Sequence, residues 1–157
     1  MTTTDPIAIR AADPRDAIVV AMLVTELLLE LAPEDAAQID GLALPALSQQ
    51  LLGAGKIQAL LAFEHGEPVA VLTLHECAAL YAGGRFGEIS ELYVRPAWRA
   101  SGLGQRLIDA ALDIARQQRW QRLEVGAPAG QQWQRSRAFY QANGFVETGP
   151  RLRRLID

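Results

Sequence analysis

The sequence predicts a single mixed α/β domain built on a mostly antiparallel sheet. Half of its 157 residues are hydrophobic, which is enough to bury one core. Short apolar segments of strand length alternate along the chain with longer segments of helical periodicity. Turn signals at residues 64–67 and 82–85 join neighbouring strands as hairpins, and hairpin strands are antiparallel. We therefore expect one domain over residues 1–157.

Composition excludes several functional classes. The formal net charge is -3, so no global positive field attracts nucleic acid. The single cysteine, Cys77, forms no internal disulfide, which fits a reducing cytoplasm, and it reads as a small core residue. Residues 1–5 lack a basic leader, and the most apolar run, 18–24, is shorter than the ~20 residues that span a bilayer. With two separated histidines and one cysteine, no metal site is expected.

The N-terminal third reads as a strand followed by helices. Residues 7–10 form a short strand, and Asp13 with Pro14 then predicts a helix start. This helix runs to about residue 32. A second helical region covers 34–52, where a glycine and a proline interrupt the pattern.

The strands that follow lead to a central strand with an irregular period. Residues 57–63 and 68–75 are strands joined by the first hairpin turn. In the next strand, Ile89 and Leu92 would face opposite sides if alternation were regular. Either the strand is buried on both faces, or a bulge lies near residues 90–92. A bulge would leave backbone N–H and C=O groups unpaired for a ligand.

A glycine-rich loop joins this strand to the clearest helix of the chain. The loop, residues 99–104, contains Gly102 and Gly104, which let the backbone approach a ligand. The N–H groups at the helix start form an anion site, and Arg99 adds a cationic fork. The alternative is a plain helix cap with a surface arginine. The apolar stripe of the helix consists of Leu103, Leu107, Ile108, Ala111, Ile114 and Ala115.

The C-terminal third continues with one strand and one helix. The strand covers 122–125, a loop covers 126–130, and the helix covers 132–142. Asn143 and Gly144 close the helix so that the chain folds back onto the core. Apolar residues within 146–148 and 152–156 predict closing strands. This region contains five arginines, and we expect most of their side chains to be exposed to solvent. The alternative is that they attract an anionic ligand. The five are Arg135, Arg137, Arg151, Arg153 and Arg154.

Three motifs occur in a fixed order around the glycine-rich loop. They are Leu92-Tyr93-Val94-Arg95-Pro96, Arg99-x-x-Gly102-x-Gly104 and Phe139-Tyr140-x-x-Asn143-Gly144-Phe145. Neither the Walker pattern nor the third glycine of the dinucleotide pattern is present. Together the motifs resemble the GNAT superfamily of acetyl-CoA-dependent N-acetyltransferases, over nearly the whole chain. The resemblance implies a three-layer fold, with about four helices flanking the sheet and a V-shaped splay after the central strand.

The resemblance also implies a site for acetyl-CoA as co-substrate, without a metal. In that family the strand segment matching 92–94 bonds the pantetheine arm, and the loop matching 99–104 holds the pyrophosphate. A main-chain N–H near Leu92 and Val94 would polarise the thioester carbonyl. The implied cofactor-binding residues are Leu92, Tyr93, Val94, Arg99, Ala100, Ser101, Gly102, Leu103, Gly104 and Gln105.

Transfer to an amine further needs a base and an acid. Glu88 and Glu91 are the candidate bases, although residues three apart face opposite sides of a regular strand unless a bulge re-aims one. Glu88 matches the glutamate that is the base in some relatives, and the alternative is that both are solvated or salt-bridged. Tyr140 resembles the family's general acid, and its alternative is a half-buried core residue. Trp133 replaces an asparagine that many relatives use to contact the pantetheine.

The expected function is therefore acetyl transfer to a primary amine in the cytoplasm. The acidic overall charge favours a small-molecule acceptor over a protein, with no nucleic acid or membrane partner. A homodimer stays open, with the C-terminal strands as one interface. The first alternative is a non-catalytic acyl-CoA sensor, which would need the loop but neither Tyr140 nor a glutamate. A nucleotide-phosphate binder is the second alternative.

Overall fold

The structure is built around a five-stranded sheet with helices on both faces. The computed structural model of the chain describes residues 5–127 and 130–157. The strands are β1 (Ile7–Ala11), β2 (Gln58–Glu64), β3 (Glu67–Ala79), β4 (Gly84–Val94) and β5 (Leu123–Val125), in that spatial order. The helices are α1 (Ala17–Leu31), α2 (Ala36–Gly41), α3 (Leu44–Gly53), α4 (Leu103–Gln118) and α5 (Gln134–Ala142). All pairings are antiparallel except that of β4 with β5, so the predicted mixed, mostly antiparallel sheet is confirmed.

Alternation along β3 divides the core into two layers. Leu72 and Leu74 pack on one face with α4, whereas Val71 packs on the other face with α1 and α3. All three side chains are fully buried. The sheet is therefore covered on both faces, as a three-layer fold requires.

The helix starts follow the sequence signals, with local differences. Asp13 and Asp16 form a reciprocal capping box, and Asp13 accepts a hydrogen bond of 2.7 Å from the N–H of Arg15. The first turn, Pro14–Asp16, is a 3-10 helix before α1 begins. The second helical region is two helices, because Ala43 adopts a left-handed conformation with φ of 50° between α2 and α3.

The bulge in the central strand is confirmed. Leu74 pairs with Ile89 and Thr73 pairs with Glu91, so Ser90 is an extra residue on β4. Because of this extra residue, Ile89 and Leu92 both pack on the α4 face of the sheet.

The parallel pairing of β4 with β5 is short. Its register covers residues 87–89 of β4 and the three residues of β5. The Cβ position of Gly87 lies 2.2 Å from a ring carbon of Trp120, so glycine is required where this pairing begins. Beyond Ile89 the described strands no longer pair, so β4 keeps an open edge on that side, as the expected splay requires.

The prediction of closing strands is wrong. Residues 146–157 are all described, and they contain no strand. Leu152 and Ile156 are 95% and 91% exposed instead of lying in the core. Gly149 has φ of 127° and Pro150 follows it, which interrupts any regular ladder, and β5 is only three residues long. In the predicted loop 126–130, Pro128 and Ala129 lie outside the described residues, as do residues 1–4.

The chain turns sharply after α5, as predicted. Gly144 has φ of 90°, and the N–H of Phe145 donates to the carbonyl of Tyr140 at 3.1 Å. The Phe145 ring thereby packs against Tyr140 and the α4 core layer.

None of the helices in the described ranges is both long enough and apolar enough to cross a bilayer.

Candidate functional site

The central strand has an open edge after its bulge. The N–H of Arg95 donates to the carbonyl of Val69 on β3 at 2.9 Å. Because backbone groups alternate between the two edges of an antiparallel strand, those of Leu92 and Val94 point away from β3. On that side β5 has stopped pairing. The N–H groups of Leu92 and Val94 therefore face the splay, where an extended ligand could pair with them. The backbone N–H and C=O groups of Tyr93 face β3, and its ring is buried against α1.

The glycine-rich loop lies next to this edge and presents backbone donors. Ala100 and Gly102 have φ of 61° and 84°, which turns the chain into the first residue of α4, Leu103. Ser101 donates its hydroxyl hydrogen to the carbonyl of Trp98 and so holds the turn. The first N–H that bonds back within the new helix is that of Arg106, to the Gly102 carbonyl at 3.1 Å. The preceding N–H groups make no bond back within the helix, and unpaired N–H groups at a helix start are the kind of donor that binds anions. Gln105 lies beside them and is exposed.

The two loop glycines have different roles. Gly102 is required by its left-handed φ, and no atom lies within 4 Å of its Cβ position. Gly104 permits close packing, since its Cβ position lies 3.1 Å from the Phe139 ring of α5 and a side chain there would push against that ring. Gly104 therefore brings α5 close to α4, and with it the neighbouring Tyr140.

The Arg99 guanidinium is bound within the protein. It forms a bidentate pair with the Glu30 carboxylate of α1 at 2.9 and 2.6 Å, and its Nε donates to the Val94 carbonyl at 2.8 Å. It also lies over the Tyr93 ring at 5.6 Å. The hydrogen bonds to Glu30 raise the pKa of Arg99. The sequence pattern predicts that this fork faces a phosphate, whereas in the structure it ties the loop to α1.

The bulge brings the two candidate bases to the same face of the sheet. Glu91 lies opposite Thr73 and Glu88 lies opposite His75, and Thr73 and His75 point to the same side of β3. The buried Thr73 hydroxyl donates a hydrogen bond to the Glu91 carboxylate and accepts one from the Glu91 N–H at 3.1 Å. Glu88 instead pairs with Arg151 of the C-terminal segment. One carboxylate is thus held by the sheet and the other by an exposed side chain.

Two further polar side chains, which the sequence analysis treated singly, join Glu88. His75 Nδ1 lies 2.8 Å from the hydroxyl of the bulge residue Ser90, and its Nε2 lies 4.0 Å from Glu88 Oε2. Cys77 Sγ lies 4.0 Å from the same oxygen, and burial together with the Glu88 charge raises the pKa of its thiol. The sequence does show that His75 and Cys77 are two residues apart on one strand and so share a face. That Glu88 lies beside them depends on the register of β3 with β4, which the sequence alone does not give.

Tyr140 lies half-buried on α5 between two aromatic rings. The Phe139 and Phe145 rings contact it edge-on, with centroids at 5.3 and 5.7 Å. Burial raises the pKa of Tyr140 to about 12, so its hydroxyl keeps its proton at neutral pH. Both Tyr140 and Leu92 border the α4 core layer. Trp133 ends the 3-10 turn Gln131–Trp133, one residue before α5.

Comparison with known families and structures bears on the family and the fold. The model of the acetyltransferase (GNAT) family matches residues 24–145. A search of curated proteins gave no significant match.

Solved structures of similar fold extend over the whole chain. A ribosomal-protein-alanine N-acetyltransferase from Brucella melitensis biovar Abortus 2308 is 21% identical with a TM-score of 0.72, covering 95% of this chain and 99% of its own. An aminoglycoside acetyltransferase from an uncultured soil metagenomic sample is 21% identical with a TM-score of 0.79, covering 96% and 99%. A predicted acetyltransferase with acetyl-CoA from Clostridium acetobutylicum is 19% identical with a TM-score of 0.78, covering 95% and 96%. At these identities the likeness concerns the fold.

Proposed function

The chain belongs to the GNAT acetyltransferase family, and we propose that it transfers the acetyl group of acetyl-CoA directly to a primary amine of a small molecule. The observation that carries this proposal is the open edge of β4 beside the N-terminus of α4. Coenzyme A has an extended arm with amide groups that is joined to a pyrophosphate. This shape matches the two features, because the strand edge offers hydrogen bonds to the amides and a helix start binds anions.

We place the acetyl thioester at Leu92 and Val94. Their N–H groups point into the splay, where one of them can donate to the carbonyl oxygen as negative charge develops on it. The pyrophosphate then lies against the loop from Ala100 to Gln105. Arg99 is paired with Glu30 of α1 and is given no contact with the pyrophosphate in this proposal.

Of the two carboxylates, we assign Glu88 as the general base. Glu91 shares two hydrogen bonds with the buried Thr73, which is the arrangement of a structural residue. Glu88 pairs with Arg151, whose side chain is 68% exposed and is therefore displaced at low cost by a cationic amine. Removing the proton matters because a free alkyl ammonium, with a pKa of about 10.4, has no lone pair for attack.

Tyr140 is the proposed general acid for the coenzyme A thiolate. Its raised pKa keeps the hydroxyl protonated, and its place between Phe139 and Phe145 fixes the ring. The proton passes from the phenol oxygen to the departing sulfur, and solvent reprotonates the tyrosine.

Charge favours a small cationic amine as the acceptor. Two carboxylates on one sheet face attract a cationic amine, and the net charge of -3 disfavours acidic macromolecules. One neighbour of similar fold is an aminoglycoside acetyltransferase, which by its name acts on a small molecule. The single cysteine supports a place in the cytoplasm.

Calorimetric titration with acetyl-CoA, coenzyme A and ATP tests the binding part of the proposal. We expect micromolar binding of acetyl-CoA, no binding of ATP, and loss of acetyl-CoA binding in Gly102→Glu, which places a carboxylate in the anion site. Gly55→Glu is the matched control, since Gly55 also has a left-handed φ of 67° and open space around it. Equal losses in both variants, or ATP binding that coenzyme A does not displace, would contradict the proposal.

Release of free thiol in the presence of amines tests the catalytic part. The panel contains aminoglycosides, small alkyl amines and peptides with free N-termini, each with wild type and Tyr140→Phe. We expect turnover with a small-molecule amine and at least a tenfold loss of kcat in Tyr140→Phe. Tight acetyl-CoA binding without thiol release from any amine would favour the non-catalytic sensor instead.

A further inference from the structure

We propose that His75, Cys77 and Glu88 form a binding site for a divalent transition-metal ion, with Zn²⁺ as the best-suited ion. One ligand atom from each of the three side chains lies within 4.8 Å of the other two. Imidazole nitrogen, thiolate sulfur and carboxylate oxygen are the three ligand types that Zn²⁺ takes in proteins. This site shares Glu88 with the acetyl transfer proposed above, which itself needs no metal, so a bound ion would occupy the proposed base and oppose the transfer.

The register of the sheet creates the site. His75 and Cys77 are two residues apart on β3 and so point to one face, while Glu88 lies directly opposite His75 on β4. Glu88 Oε2 is 4.0 Å from both His75 Nε2 and Cys77 Sγ. Bond lengths of about 2.0–2.3 Å in a tetrahedral zinc site place ligand atoms about 3.5 Å apart. Small side-chain rotations within a rigid pair of strands are therefore sufficient.

The histidine is already oriented for coordination. Its Nδ1 is in hydrogen-bond contact with the Ser90 hydroxyl at 2.8 Å, which leaves Nε2 toward Glu88 and Cys77. Metal-binding histidines characteristically bond a second protein group through the other ring nitrogen. Ser90 is the bulge residue, so the same irregularity that opens the edge of β4 supplies this contact.

Charge favours a cation at this position. The Glu88 carboxylate holds the Arg151 guanidinium, which reaches it from the irregular C-terminal segment. A bound Zn²⁺ would replace that guanidinium, and the Cys77 thiol would release its proton to the buffer as its sulfur becomes a ligand. Zinc, thiolate and carboxylate then balance in charge, and the fourth coordination position stays open to water.

Direct binding tests this proposal without any substrate. Untagged protein is titrated with Zn²⁺ by calorimetry in two buffers of different ionisation enthalpy, and with Co²⁺ by absorbance, where a thiolate ligand gives an intense near-ultraviolet band. We expect one ion per chain, release of about one proton, and loss of the near-ultraviolet band in Cys77→Ser. Affinity should fall by at least tenfold in Cys77→Ser, His75→Gln and Glu88→Gln, and by about tenfold in Ser90→Ala.

The chain offers matched controls on the same elements. His65→Gln removes the other histidine, which lies in the turn between β2 and β3. Glu76→Gln removes a carboxylate that lies between the two β3 ligands in sequence but on the opposite face of the sheet. Neither should change affinity by more than about twofold. Arg151→Gln should raise Zn²⁺ affinity, because it removes the competing cation from Glu88. Absence of binding by folded wild type, or binding by Cys77→Ser and His75→Gln as tight as that of wild type, would overturn the proposal.

Discussion

At the scale of single residues, the extra residue in β4 decides which chemistry is available. Without Ser90 in the bulge, Glu88 and Glu91 would lie on opposite faces of the sheet. With it, both carboxylates lie on one face but have different partners, the exposed Arg151 and the buried Thr73. We therefore expect different consequences when each is neutralised.

Glu88→Gln should reduce kcat/KM by about 10²–10⁴-fold, the usual contribution of a general base, while leaving thermal stability nearly unchanged. Glu91→Gln should reduce kcat/KM by less than tenfold but lower stability, by about 1–2 kcal/mol, because Thr73 loses a charged hydrogen-bond partner. Steady-state kinetics and denaturant unfolding of both variants measure the two effects. The reverse order of the kinetic losses would make Glu91 the base.

Tyr140 should make stability depend on pH above neutrality. Its pKa is raised from 10 to about 12 in the folded chain, so between these pH values the unfolded chain loses a proton that the folded chain retains. This contribution is fully present below pH 10 and is lost as pH rises toward 12. At about pH 11, wild type should have lost about 1 kcal/mol more of its unfolding free energy than Tyr140→Phe, relative to pH 9. Parallel pH dependences in denaturant unfolding would show that the tyrosine is not buried in this way.

At the scale of secondary-structure elements, the short parallel pairing of β4 with β5 depends on Gly87. A Cβ there would overlap the buried Trp120 ring, which is held by a hydrogen bond of 2.8 Å from its Nε1 to Glu76. Gly87→Ala should therefore lower the unfolding free energy by about 1–3 kcal/mol through overpacking. In the control Gly53→Ala, no atom lies within 4 Å of the new methyl group, so stability should be unchanged or slightly higher. Urea unfolding of the two variants checks the difference, and equal stabilities would contradict it.

The elements also show what the sequence could and could not predict. The bulge was among the predictions because the apolar phase shifts between Ile89 and Leu92, and a phase shift is a local property. The closing strands were predicted wrongly because apolar residues such as Leu152 and Ile156 satisfy a local pattern, whereas a strand also needs a partner. The His75–Cys77–Glu88 cluster and the Arg99–Glu30 pair were missed because each joins segments whose spatial relation depends on register or packing.

At the scale of the whole molecule, two ion pairs tie α1 to the region of the proposed ligand site. Glu26 pairs with Arg95 at the end of β4 at 2.8 Å, and Glu30 pairs with Arg99 in the glycine-rich loop at 2.6 Å. The helix layer on one face of the sheet thus reaches the proposed anion site, whose backbone donors belong to the helix on the other face. The two layers meet at this point, so a charge on α1 should influence an anion bound at α4.

Glu30→Gln provides the test of this coupling. The substitution removes a negative charge from the region of a polyanionic ligand and frees the Arg99 guanidinium from its bidentate partner. We expect coenzyme A to bind about threefold more tightly at low ionic strength, with the gain shrinking as salt screens the interaction. Asp113→Asn removes the same charge ten residues beyond the start of α4, about 15 Å along the helix, and should change affinity much less. Calorimetry at two salt concentrations measures both variants. Weaker binding in Glu30→Gln at both concentrations would mean that the ion pair holds the loop in its binding conformation, and that Glu30 supports the coenzyme site instead of opposing the ligand's charge.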